Sequence, residues 1–442
     1  MKLPRKSKTI DISIDDLYAV KIRSIWQAAK QEHISFWALT AYFFFEYVRP
    51  QAIYPAIEII PWGQLTLIAA LFGAFSDKSV KWVACVENKH FVFFFIVVFL
   101  SSVFAFQPSV SWDAKTDIIN WILVYFLVIN VINTEKRFFI FMLGFLLFSF
   151  KMSQHGFVTW ATRGFSFTQW GLIGAGGWFQ NSGEFAIQML IFSTMSAAFV
   201  LALKDMWGKY KKWFFYFMPF TAVMTVLGAS SRGSQIGLLL IGIILVIRLK
   251  AGLKVFIALI VVMLLAYSLL PEDQIQRFMH MGEDTNSITR LAYWSYGWEV
   301  IKDHPFLGVG YENWLNYAHF DMPSGIVGGR TQLPHNIYVE VAAESGLLGL
   351  ISFLFLVVYA FVVNARTRKM ALLLKHKLYY FMSYGFSMGL VGYLVAGTFV
   401  TVFYYPFFWV QIALIVAMHS ITKNKFEQVY GESFSKYRIK AR

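Results

Sequence analysis

Long apolar runs separated by short polar connections make up most of this chain, and within the runs polarity does not alternate. Stretches such as FVFFFIVVFL (91–100) and IGLLLIGIILVI (236–247) carry no charged position. In hydrocarbon only helices and closed barrels satisfy their own backbone, and a barrel would show ten-residue pieces of alternating polarity. Runs of about 17–25 apolar residues have the length of a membrane-crossing helix. The pattern therefore predicts an all-α polytopic membrane protein with about twelve transmembrane helices. They fall at 34–48, 62–76, 91–107, 118–133, 137–152, 184–203, 213–230, 235–248, 254–270, 337–363, 380–399 and 402–420. The organisation that follows is a tail (1–33), helices 1–9 within 34–270 with a loop at 153–183, a large loop at 271–336 between helices 9 and 10, helices 10–12 within 337–420, and a basic tail (421–442).

Composition agrees and charge adds orientation. Hydrophobic residues form 57% of the 442 and charged residues 14%, too few for a soluble surface. Lys and Arg collect in cytoplasmic loops. With both termini inside, thirty of the 39 basic residues fall on the inner side. The remaining nine (Arg49, Lys115, Lys151, Arg163, Arg232, Arg277, Arg290, Lys302 and Arg330) fall outside. The net charge of +14 thus follows the topology, which argues against nucleic-acid binding and leaves the tails facing membrane lipids. No apolar run follows the first basic residues, so a cleavable signal peptide is not expected. Cys85, the single cysteine, cannot form an internal disulfide.

The two long external connections, 153–183 and 271–336, are where chemistry is expected, since loops of that length are usually functional or disordered and these are not compositionally disordered. In the second, SITRLAYWSYGWEVIKDHP spaces Ile288, Leu291, Ala292, Trp294, Trp298 and Ile301 as one face of an amphipathic helix ended by Pro305. GLIGAGGWFQNSGE lacks the GK[ST] of a phosphate loop, and no CxxC or HExxH occurs. His280, Glu283 and Asp284 have no metal-ligand spacing and read as a solvated loop, so no metal is expected.

Four external arginines stand beside glycine or hydroxyl residues: Arg163 in TRGFS, Arg232 in SSRGS, Arg290 in SITRL and Arg330 in GGRTQ. A planar donor fork of fixed charge suits phosphate oxygens, although anchoring to lipid head groups explains an interfacial arginine equally well. Arg232, in a connection of a few residues, fits a diphosphate site best. In LPHNIYVEVAAESGLLGL (333–350), Pro334 fixes the approach and Asn336 can cap the following helix. His335 beside that helix N-terminus is favoured neutral, which suits a general base or, alternatively, a histidine with only a structural place at the interface. Glu340 and Glu344 share a face with Asn336, and carboxylates there need a polar interior or a partner. Gly346 and Gly349 allow close helix packing.

The blocks TRLAYWSYGWEVIKDHPFLGVGYENW, HNIYVEVAAESGLLG and SSRGSQIGLLL resemble the shared domain of the O-antigen ligase and O-antigen polymerase superfamily, most nearly the ligases. The resemblance covers the chain from about residue 155 onward and implies an inner-membrane glycosyltransferase. Such an enzyme takes a glycan from an undecaprenyl-diphosphate-linked donor on the periplasmic face and needs no metal, cofactor or nucleotide sugar. His335 matches the superfamily histidine that serves as base or orients the acceptor. Arg232 and Arg290 match arginines that would clamp the diphosphate, with Arg163 a looser match. Arg330, Asn336, Glu340 and Glu344 are supporting candidates, a glutamate as orienter of His335 among them. The favoured acceptor is lipid A-core oligosaccharide. The alternatives are a polymerase or a protein O-oligosaccharyltransferase of the same superfamily, and then a transporter or flippase, which would carry polar groups at mid-membrane.

Overall fold

The computed structural model describes residues 12–80, 82, 86–168, 171–248, 275, 279, 285–322, 331–431, 433 and 434. The described residues are helical, with no strand among them. Four helices are long and apolar enough to cross a membrane: Glu135–Thr162, Ser182–Met206, Ile337–Leu373 and Pro406–Tyr430. Helices also occupy the positions of seven other expected spans: Ile34–Tyr47, Trp62–Ser76, Val86–Val103, Lys115–Val131, Lys209–Gly228, Arg232–Arg248 and Lys377–Gly397. The expected span at 254–270 and Cys85 lie outside the described residues.

Several boundaries differ from the sequence reading, and the Glu135–Thr162, Ile337–Leu373 and Pro406–Tyr430 helices each end ten residues late. The Glu135–Thr162 helix runs past the expected end at 152, so the connection begins at Arg163. Polar Lys151, Gln154 and His155 sit on its outward face while Met152, Ser153, Gly156 and Trp160 stay buried, so the helix continues although hydropathy falls. Ser153 and Thr225 show how: Thr225 Oγ1 donates to the Ser153 carbonyl at 2.9 Å and packs over Gly156. The Ile337–Leu373 helix likewise extends past 363.

The connections gather at two opposite ends of the bundle. At one end the Glu135 carboxylate joins four segments. It accepts from Tyr18 Oη (2.5 Å) and Lys425 Nζ (2.6 Å), and it pairs with His376 Nε2 at 2.6 Å. Trp207 Nε1 donates to the Tyr18 carbonyl, and Lys377 pairs with Asp205. Beside this hub the buried Arg137 guanidinium bridges Glu32 (2.5 Å) and Asp77 (3.1 Å). Burial pushes the Asp77 carboxyl up, but hydrogen bonds from Ser79 and Ser35 and the Arg137 charge prevail and hold it at about 2.

At the other end the Phe106 amide donates to the Val309 carbonyl, Gln107 N–H to Asn313 Oδ1, and Tyr405 Oη to Glu184. Between the two ends the core is aromatic and tightly approached. Phe91 stacks on Tyr125 at 3.7 Å, and a Cβ on Gly385 or Gly392 would strike Ala198 or Leu190. Small residues therefore set the contact between the Ser182–Leu203 and Lys377–Gly397 helices.

Removing the cation of a buried cluster leaves its carboxylates uncompensated, which costs about 3–5 kcal/mol. Arg137→Met is thus expected to lower the melting temperature of the detergent-solubilised protein strongly. Lys21→Met breaks the exposed Lys21–Asp16 pair and serves as the mild comparison. Similar small shifts for both would show that the Arg137 cluster does not hold this end together.

Candidate functional site

The segment before the Ile337–Leu373 helix is fixed residue by residue. Asn336 is extended and its side-chain oxygen accepts the N–H groups of Tyr338 (2.9 Å) and Val339 (3.2 Å), capping the helix as its sequence position predicts. His335 lies in the left-handed region at φ 49°, a conformation that costs a non-glycine residue about 1–2 kcal/mol. Its N–H donates to Thr401 Oγ1 at 2.9 Å. One residue back, the Pro334 carbonyl accepts from Trp294 Nε1 at 2.9 Å.

The imidazole is half-buried. Burial first, and the positive charge of Arg290 second, push His335 down to about 4, because both disfavour the imidazolium. At neutral pH the ring is therefore uncharged, and the same two causes make it a weaker base than an ordinary histidine.

Next to this segment lies a cavity of ≈170 Å³ walled by Arg232, Ser287 and Arg290 together with Gly233, Ile236, Leu291, Trp294 and Phe399. Arg232 is the first residue of the Arg232–Arg248 helix, after a turn in which Ser230 takes φ 58°. The positive end of that helix adds to the guanidinium charge. Ser287, Arg290 and Trp294 follow at helical spacing on the Thr285–Asp303 helix, so one face supplies a hydroxyl, a fork and an indole. A Cβ at Gly233 would meet the Phe399 ring at 2.8 Å, so glycine is what lets that ring close the wall. Two guanidiniums facing an apolar wall can hold an anion attached to a hydrophobic group.

The structure redistributes the other expected residues. Neither glutamate reaches His335, so neither orients it. Glu340 Oε2 accepts the Phe403 amide at 3.3 Å, and Glu344 accepts the amides of Glu312 (3.1 Å) and Trp314 (3.2 Å). Both carboxylates are buried and accept backbone amides of crossing loops, so they hold loops rather than a ring. Gly346 does not simply pack. It breaks the helix at φ 67°, and a Cβ there would strike the Phe306 carbonyl. Arg163 is the exposed C-cap of the Glu135–Thr162 helix and does not line the cavity. Arg330, His280, Glu283 and Asp284 lie outside the described residues. Among the described residues no group of three or more His, Cys, Asp or Glu could hold a metal ion.

The loop helix forms where expected but buries mainly another face. Ile288, Leu291 and Trp298 of the expected face are exposed and only Ile301 is buried, whereas Tyr293, Tyr296 and Val300 pack on Trp314, Ala342 and Ala343. Hydroxyl partners permit this: Tyr293 Oη accepts the Gln332 amide and Tyr296 donates to Asp321. Sequence reasoning also passed over Thr401 and Phe399. The run TFVTVFYYP offered only two threonines in an aromatic turn before Pro406.

Residues 217–354 match the family model described as O-antigen ligase. The matched segment includes Arg232, Arg290 and His335 and ends before Phe399 and Thr401. No curated protein matches the chain.

A proton titration of ¹³C-labelled histidines, with His335 assigned by loss of its signal in His335→Ala, should give a midpoint near 4. In Arg290→Gln the midpoint should rise and still stay below the ordinary histidine value, because burial is the larger cause. A midpoint at or above the ordinary value in the unsubstituted protein would contradict a half-buried ring beside Arg290.

Proposed function

We propose that this protein is a twelve-span inner-membrane glycosyltransferase that moves a glycan from undecaprenyl diphosphate to an acceptor hydroxyl on the periplasmic face, with lipid A-core oligosaccharide as the acceptor. One observation carries the reading. Within a segment matching the O-antigen ligase family, two arginines share a partly apolar cavity whose Trp294 wall also holds the chain entering the neutral His335.

In the reaction the acceptor oxygen attacks the anomeric carbon, and the bond from that carbon to the diphosphate oxygen breaks. The hydroxyl proton passes to the His335 imidazole, and the lipid diphosphate leaves with the electron pair. Arg232 and Arg290 meet the charge that grows on the diphosphate. Fixed donors in a site that excludes water are worth far more than in solution, so the clamp acts mainly on the departing group. Ile236, Leu291 and Phe399 offer the first isoprene units an apolar wall. The exposed Ile288, Leu291 and Trp298 would then face lipid.

A polymerase or a protein O-oligosaccharyltransferase of the same superfamily would use the same donor chemistry. A polymerase must hold two carrier diphosphates. Among the described residues Arg163 stands apart from the cavity, and Arg232 and Arg290 form one clamp for one diphosphate, which supports the ligase. The break at Gly346 is a feature shared with transporters, but the loop amides of Val309 and Gly310 take the carbonyls of Ala343 and Glu344 beside it. The broken helix therefore seats a loop, which favours an enzyme over a transporter.

Arg232→Lys and Arg290→Lys should each reduce transfer about tenfold or more, since Lys keeps the charge and loses the fork. His335→Ala should lose about 10²–10⁴ in rate while remaining inserted. Lys302→Gln, at the exposed Lys302–Glu299 pair of the same loop helix, should be nearly silent. Equal behaviour of all four in a transfer assay with a carrier-linked glycan would refute the clamp.

Deleting the gene should leave lipid A-core bare while long carrier-linked chains persist. Single repeat units on the core, with no long chains anywhere, would establish a polymerase instead.

A further inference from the structure

His335 lies in the left-handed region, and two side chains from distant parts of the chain bond to the peptide unit that enters it. Thr401 accepts the His335 N–H, and Trp294 donates to the carbonyl of Pro334, so the peptide unit that enters His335 is held at both its amide and its carbonyl. Thr401 is only 7% exposed, so water has little access to replace its hydroxyl as acceptor. The turn that carries Thr401 is itself fixed, two residues on, by the Glu340 carboxylate accepting the Phe403 amide. Val400 meanwhile packs over Gly183.

These supports are also the walls of the arginine cavity. Phe399, two residues before Thr401, closes one side of it, and Trp294, one helical turn after Arg290, forms another. The Trp294 and Phe399 rings face each other with centroids 6.2 Å apart. Anything that seats between the arginines therefore touches the two elements that place His335.

We infer that Thr401 and Trp294 are positioning residues for His335, which hold the peptide unit before it so that the imidazole stands beside the arginine cavity. The inference rests on the reading of His335 as the proton acceptor. Strained backbone at a functional residue persists only where its surroundings over-determine it, and here two hydrogen bonds from separate elements do so. A base displaced by about 1 Å loses on the order of 10²-fold in rate without loss of substrate binding.

The test uses the full-length protein with Thr401→Val, Thr401→Ser and Trp294→Phe, each alone and combined with His335→Ala. Transfer is measured with a carrier-linked glycan, and cavity binding with farnesyl diphosphate as the probe. Thr401→Val keeps the shape and loses the acceptor, and Trp294→Phe keeps a ring in the wall and loses the N–H. Both should lower kcat about tenfold or more, and Thr401→Val, whose residue does not line the cavity, should leave the donor KM and probe affinity within about twofold. Thr401→Ser should restore most of kcat. In the His335→Ala background neither change should cost anything further, since the residue it acts through is gone. Wild-type kcat in Thr401→Val and Trp294→Phe, alongside an inactive His335→Ala, would overturn this inference alone. A full further loss from Thr401→Val in the His335→Ala background would overturn it too, as would probe affinity falling in step with kcat in Thr401→Val. Full activity of His335→Ala would remove the base reading itself, and the positioning roles with it.

Discussion

Where the Ile337–Leu373 helix breaks at Gly346, backbone groups that would have bonded within the helix turn to the preceding loop. The Ala343 and Glu344 carbonyls accept the amides of Val309 and Gly310, and the Leu347 amide donates to the Pro305 carbonyl. Ser101 Oγ adds a bond to the Glu344 carbonyl from the Val86–Val103 helix. The Glu344 side chain completes the seam by taking the Glu312 and Trp314 amides. Buried backbone groups must be paired, so this exchange settles where the loop can lie. Gly308 and Gly346, both with positive φ, are the two positions at which the chains come too close for a side chain.

The rest of the site hangs from that seam. With segment 305–314 seated on the bundle, the Thr285–Asp303 helix packs Tyr293, Tyr296 and Val300 beneath it and presents Ser287, Arg290 and Trp294 toward the Arg232 helix. The short helical piece between Asn336 and Gly346 starts from a capped end and is gripped by the Phe399–Tyr405 turn through Glu340. A cation-lined cavity and a neutral imidazole thus stand side by side, each held by backbone hydrogen bonds to side chains far away in sequence. Arg290 belongs to both, since it lines the cavity and helps keep His335 uncharged.

The buried carboxylates show where sequence reasoning stopped short. Glu340 and Glu344, four residues apart beside His335, looked like partners for the ring. In the fold their neighbours in sequence matter less than the loops that cross them, and both bind amides instead. The loop helix is a second case. Its apolar residues form one stripe and its tyrosines another, and hydropathy ranks the first as the core face. Either stripe can be buried where a partner surface meets it, and hydroxyl partners at Gln332 and Asp321 favour burial of the tyrosines.

By itself the sequence determined that the described residues are helical, where their helices fall and that Asn336 caps one of them, while Arg290 and His335 stood out through short blocks that resemble the O-antigen ligase superfamily. Those properties are local: hydropathy over a window, a capping side chain within three residues, a block of residues around an arginine or a histidine. Only the tertiary structure decided that Arg232 and Arg290 share one cavity while Arg163 does not, that the glutamates hold loops, and that Thr401 and Trp294 grip the backbone around His335. The reason is distance along the chain. The Thr401 contact spans 66 residues and the Trp294 contact 40, and each exists because buried amides and carbonyls had to find partners once the helices packed.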